Sequence, residues 1–176
     1  MRMFLGLLTL TGLALLSLAG TGSASSNLPN GSVLTGTGTN VALGSFITCH
    51  TTVTATLFNK PAGQGIHASL TAITFSGCTP AGTTVIATGL PRTVDLVGTT
   101  NGGQGWDGLV TGGNVDVNVL GLRCNYGGNF GVLYHNATMQ LTLGGSLARQ
   151  TGSDALCPAN GPISGIYHIN PTLTIS

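Results

Sequence analysis

Charge is the scarcest property of this chain. Charged side chains make up 5% of the residues, and glutamate is missing altogether, against about a quarter charged in an ordinary globular domain. Over residues 25–176 the cations Lys60, Arg92, Arg123 and Arg149 balance the anions Asp95, Asp107, Asp116 and Asp154. A neutral chain has no electrostatic footprint for nucleic acid or for an anionic membrane, so neither is expected as a partner. Paired-carboxylate chemistry would have to come from those aspartates alone. Asp95 and Asp116 lie on apparent strand faces, and Asp107 and Asp154 in apparent loops, where solvation accounts for them. No G-x-S-x-G elbow is present either. No catalytic residue is assigned, and the chain is expected not to be an enzyme.

Metal-binding spacings are absent too. His50, His67, His135 and His168 form no H-E-x-x-H pattern, and the cysteines form no C-x-x-C. Cys49 and His50 are adjacent, so on a strand they point to opposite faces. The stretch "GGQGWDGLV", residues 102–110, fits the nonapeptide that binds Ca²⁺ in repeat proteins. Such a site needs neighbouring repeats, because one repeat supplies only part of the shell. The next segment, "GGNVDVNVL", has Val115 where a glycine belongs and Asp116 one place early. The match is read as a Gly-rich turn, and no metal or cofactor is expected.

Aromatic residues are few, at 5% of the chain, with Trp106 the single tryptophan. It is either a core plug, the commoner fate, or an exposed contact for an apolar ligand, a sugar or a partner. Long apolar runs are absent except at the start, where Phe4 to Leu18 follows Met1-Arg2. Small residues come next, with Gly22 and Ala24 suitably placed for cleavage after Ala24. Residues 1–24 are read as a signal peptide and 25–176 as one secreted domain. The run falls short of the roughly 20 apolar residues a bilayer needs, so no membrane span is expected after cleavage.

What remains is rich in Thr, Val and Gly, the composition of an all-β protein. Apolar β-formers are too plentiful, and charge too low, for disorder. Cys49, Cys78, Cys124 and Cys157 are an even number in an exported chain, so two disulfides are expected. "FITCHTTVTATLF" alternates, with Ile47, Cys49, Val53, Ala55 and Leu57 on one face and threonines with His50 on the other. After the loop "NKPAGQG", "IHASLTAITFSGC" returns with a change of parity near Ala72 and Ile73, the mark of a bulge. Antiparallel pairing about that loop brings Cys49 and Cys78 together. Their bridge is therefore favoured, leaving Cys124 with Cys157; the other pairings stay open, since bridges between sheets are common in sandwiches.

Further strands are expected at 83–88, 92–98, 106–111, 114–123, 130–135, 137–143 and 163–175, with a Gly-diluted one near 32–39. In "ATMQLTL" the residues Ala137, Met139, Leu141 and Leu143 are expected to face the core. About eight to ten short strands without helical periodicity predict a single antiparallel β-sandwich stapled by disulfides. Asn30 and Asn136 sit in glycosylation sequons.

The second half carries "TGLPRTVDLVG", "NVDVNVLGLRCNYGG", "GGSL" and "CPANGPISGIYHINPTLTI". These segments resemble small exported bacterial proteins described as activators of alkane oxidation, together with related four-cysteine exported proteins. The likeness runs from about Phe46 to Ser176. Those proteins often have an aromatic after the Leu-Pro pair, where this chain has Arg92, and "ARQTGSDAL" is longer here. The resemblance implies a non-catalytic helper in hydrocarbon utilisation, acting outside the cell, in the periplasm or at the cell surface. The partners to expect are then a hydrophobic substrate, a cell-surface component or further copies of the chain. A surface-matrix or adhesive protein and a carbohydrate- or lipid-binding module are the rival functions.

Overall fold

The computed structural model describes residues 26–59, 66–100 and 105–176. The expected signal peptide, the loop containing Lys60 and the start of "GGQGWDGLV" lie outside these residues. Every regular element among those described is a strand: β1 (Val33–Leu43), β2 (Ile47–Asn59), β3 (Ile66–Thr79), β4 (Thr84–Thr88), β5 (Arg92–Thr100), β6 (Gly105–Val119), β7 (Leu122–His135), β8 (Gln140–Arg149) and β9 (Asn160–Asn170). All neighbours pair antiparallel.

The all-β expectation holds; the sandwich does not. One sheet runs β6-β5-β3-β2-β1-β9-β8-β7, and β7 pairs back to β6, closing an eight-stranded barrel. A sandwich and a barrel require the same apolar-in, polar-out alternation, so alternation cannot separate them. The closing ladders decide it. β1 pairs with β9, from Thr35↔Asn170 to Leu43↔Ile163, and β6 pairs with β7 along its length, from Gly105↔His135 to Val119↔Leu122. No edge is left between two sheets.

β2 has the predicted alternation. Ile47, Cys49 and Leu57 are buried, while His50 and Thr52 are exposed. The β2–β3 ladder skips Thr71, between Thr54↔Ala72 and Ala55↔Leu70, so the bulge lies one residue from its expected place. The two strands expected at 106–111 and 114–123 are one, β6, with a bulge between Val110 and Gly113. Residues 105–110 of the nonapeptide are thus strand rather than turn, with Asp107 exposed and opposite Gly98 and Leu133. The expected 114–123 strand overruns a turn at Leu120-Gly121, where both residues have positive φ. Met139 likewise sits in a turn with φ 54 and is exposed, leaving Leu141 and Leu143 of its segment packed inside.

The chain direction puts the β1–β2, β3–β4, β6–β7 and β8–β9 connections at one end of the barrel. Both disulfides lie toward this end. Cys49–Cys78 joins β2 to β3, and Cys124–Cys157 joins β7 to the β8–β9 segment, as the hairpin argument favoured. Two bridges fit an oxidising, extracellular-type compartment. The β8–β9 segment also covers the start of β7. Asn125 N–H donates to Ser153 Oγ at 2.8 Å, Arg123 N–H donates to Asp154 Oδ2 at 2.7 Å, and Gln150 N–H and Asp154 N–H donate back to the carbonyls of Asn125 and Arg123. The long "ARQTGSDAL" stretch therefore shields a strand edge that would otherwise be open to pairing with other chains.

The opposite end is closed by the C-terminal residues. Tyr134 O–H donates to Leu173 O at 2.5 Å. The Asn136 amide brackets Ile175, donating to its carbonyl at 2.6 Å and accepting from its N–H at 2.9 Å. The sequon asparagine is thus occupied in holding this closure. Leu173 and Ile175 are buried beneath it.

Candidate functional site

The barrel interior is built from inward positions of every strand, and almost all are apolar. The outer face is mixed: His50, Thr52 and Asp107 are exposed there, and so are Ile86, Val97, Leu109 and Ile166. Eight strands enclose a space that side chains can just fill, or that can hold one small ligand. Here the filling is incomplete. A cavity of about 120 Å³ lies in the middle of the barrel, bordered by Leu57, Ile66, Val94, Phe130, Tyr167 and others. Ala55 and Ala68 face it from β2 and β3, and their short side chains leave space that a Leu or Ile would occupy.

A second cavity of about 160 Å³ lies at the disulfide end, with Val117, Val119, Cys124 and Tyr126 in its wall. Phe46 and Leu156, both well exposed, stand at its rim. Val115 and Leu147 border both cavities, so the two follow one another along the barrel axis.

The central cavity has a side opening. β4 and β5 both pair with β6, one after the other, at Thr88↔Asn114 and Val94↔Val110. They are in effect one strand broken at Gly89-Leu90-Pro91. β3 pairs with β5 only from Ile66↔Leu96 to Leu70↔Arg92. Beyond Leu70 it diverges, and β4 is hydrogen-bonded on its β6 side alone. A slit is left in the wall between the second half of β3 and β4. Ile73 and Phe75 on one lip, and Ala87 and Thr88 on the other, border the cavity.

Arg92 stands where the β3–β5 ladder stops, at the head of this slit. It is the one charged residue bordering the central cavity among the described residues. Its guanidinium occupies space that two glycines leave free: a Cβ on Gly89 would collide with Nη2, and one on Gly112 would come within 3.1 Å of Nη1. With the Asn114 amide nitrogen donating to Gly113 O at 3.0 Å, its oxygen accepts from Arg92 Nη2 at 3.1 Å. Nε of Arg92 is buried without a hydrogen-bond partner. Arg149, by contrast, spends its guanidinium on the carbonyls of Ala155 and Cys157, at 3.1 and 2.6 Å.

Tyr167 is a buried phenol in the wall. Burial pushes its pKa up to about 12, with the Thr51 hydroxyl acting the other way. Burial also raises the pKa of Tyr134, and that of Tyr126 against an opposing pull from Arg149. These phenols are neutral wall elements at ordinary pH.

Trp106, the expected candidate contact, is in the core with 4% of its surface exposed. It lies opposite Thr99 and Tyr134, toward the C-terminal closure, and borders neither cavity. The indole therefore presents no platform to an outside ligand. His50, beside Cys49 in sequence, is on the exposed face while the disulfide-bonded Cys49 is buried; His67 contacts the Asp95 carboxylate on the neighbouring strand. No group of three or more His, Cys, Asp or Glu able to hold a metal occurs among the described residues.

Arg92 escaped the functional reading of the sequence, although a signal was present. In "RTVDLVG" it shares parity with Val94 and Leu96, both inward-facing, and a cation in phase with the apolar face of a strand is the exception to notice. The cavity left no such mark, since missing volume depends on which side chains meet across the barrel. Comparison with family models, with curated proteins and with solved structures finds no match.

Proposed function

We propose that this chain is an exported, non-catalytic accessory protein that takes a small apolar molecule of hydrocarbon type into its barrel. In doing so it promotes hydrocarbon utilisation at or outside the cell surface. The carrying observation is the apolar central cavity of about 120 Å³ behind a lateral slit. An engineered cavity of about 150 Å³ with comparable walls stays dry and binds benzene, so a guest of roughly six carbons suits this one. Such a guest would trade contact with water for contact with Leu57, Ile66 and Phe130, at about 0.8 kcal/mol per buried methylene. The resemblance to activators of alkane oxidation points the same way, and so does an outer surface with little charge to bar approach to oily material.

The test is a calorimetric titration with benzene, followed by competition with n-hexane. Saturable binding at one site, weakened by n-hexane, is expected. Deletion of the gene should slow growth on an alkane but not on a soluble carbon source, and added purified protein should restore it. Absence of saturable binding, or equal growth of the two strains on alkane, overturns the reading.

The surface-matrix alternative has one observation in its favour, the unpaired side of β4, which could accept a strand from another copy. Assembly on concentration would support it. The carbohydrate-binding alternative loses its platform with the burial of Trp106.

A further inference from the structure

We infer that the central cavity selects a chain carrying an anionic head, a short aliphatic carboxylate, with Arg92 as the residue that binds the head. The inference rests on the cavity-binding reading above and names the ligand class. Without a ligand, Arg92 presents an imbalance. Its guanidinium lies at the edge of an apolar space and has Asn114 as its hydrogen-bond partner in the wall, while Nε is buried with none. Among the described residues no acidic side chain borders the cavity. Arg92 as a whole is only half-buried, so its charged fork stays at the opening, while the buried Nε left without a partner carries a cost of its own. A purely hydrocarbon-binding cavity gains nothing from such a residue; Leu or Met would fill the position better.

The placement fits a carboxylate. Arg92 sits at the head of the slit, where the β3–β5 ladder ends at Leu70↔Arg92, so it faces the opening while Val94 and Leu96 on the same strand line the interior. A chain entering tail first would lay its methylenes against Leu57, Ile66 and Phe130 and bring its head to the guanidinium. The planar fork of an arginine suits a carboxylate, and charge-assisted pairs of this kind are stronger than neutral hydrogen bonds. Asn114 holds the fork from one side, and Gly89 and Gly112 leave it the room it occupies. A ligand of this class is what terminal oxidation of a hydrocarbon chain yields.

The test compares hexanoate with 1-hexanol, equal in chain length, by calorimetry and by displacement of benzene at neutral pH. Hexanoate is expected to bind at least about tenfold more tightly than the alcohol. Arg92→Met should erase that preference by weakening hexanoate far more than 1-hexanol, and Arg92→Lys should retain part of it. Equal affinity of the unaltered protein for hexanoate and 1-hexanol overturns the inference while leaving the cavity reading in place. A preference that survives in Arg92→Met also overturns it. Failure of all three probes to bind overturns the cavity reading, and the inference with it. The comparison on the unaltered protein stands even if Arg92→Met does not fold.

Discussion

Filling the central cavity with the protein's own atoms should make the molecule more stable and less able to bind. Ala68 is the position to change. It lies mid-strand in β3, opposite Leu57 on β2 and Val94 on β5, and borders the cavity. Ala68→Leu adds three carbons, which at about 0.8 kcal/mol per buried methylene is worth up to ~2.4 kcal/mol. Fixing the new side chain costs about 0.5–1 kcal/mol of rotamer entropy. The net gain is therefore about 1.5 kcal/mol, which for a domain of this size raises Tm by roughly 3–6 °C. In the unaltered protein a neutral ligand at one hundred times its Kd adds ~2.7 kcal/mol by mass action. In Ala68→Leu that ligand-induced rise should vanish, because the space is taken. Differential scanning calorimetry with and without benzene measures both effects. Were the space already filled, the extra carbons would overpack it and cost about 1–3 kcal/mol. A lowered Tm with an intact ligand shift would refute the reasoning.

Trp106→Ala should destabilise the barrel by about 3–5 kcal/mol in urea unfolding, since the indole is buried near the C-terminal closure; a change below about 1 kcal/mol would mean that the indole is not part of the core. Replacing Cys124 and Cys157 together by alanine removes a bridge spanning 33 residues and should cost roughly 3–4 kcal/mol in the same assay, by the chain-entropy relation. Tyr167 predicts alkaline behaviour. Its folded pKa is raised from 10.0 to about 12, so its contribution is fully present below pH 10 and is lost as pH rises from 10 toward 12. The difference amounts to about 3 kcal/mol. Absorbance titration at 295 nm should show at least one phenol ionising well above the pH at which unfolded tyrosines do, and stability should decline only in that window. Three phenols titrating together near pH 10 with the fold intact would contradict the burial.

Local pattern gave the sequence reading most of its success. The alternation in "FITCHTTVTATLF" and its return strand placed Cys49 opposite Cys78, because hairpin register depends only on nearby residues. Two turns were missed for lack of the usual chemistry. Leu120 and Met139 adopt positive φ, a conformation that Gly, Asn or Asp would have announced and that a bulky side chain conceals. The bulge in β6 was read as a break, since Thr111-Gly112-Gly113 looks like a turn when β7 is not in view. Sandwich or barrel turned on ladders between distant strands, which leave no trace in periodicity. The cation among the inward residues of β5 was legible by parity; the cavity it borders was not.

The ladder that closes the barrel joins its first strand to its last. Thr35 pairs with Asn170, and Leu43 with Ile163, so a chain emerging from the ribosome cannot complete the wall until β9 has been made. Hairpins such as β2–β3 can form early, but loop-closure entropy delays the long-range pair that seals them together. Until then β1 and β8 each lack a neighbour, and the apolar faces destined for the interior have no common enclosure. The last step of folding is therefore the seating of β9 between β1 and β8, which gives the interior its common enclosure in one event.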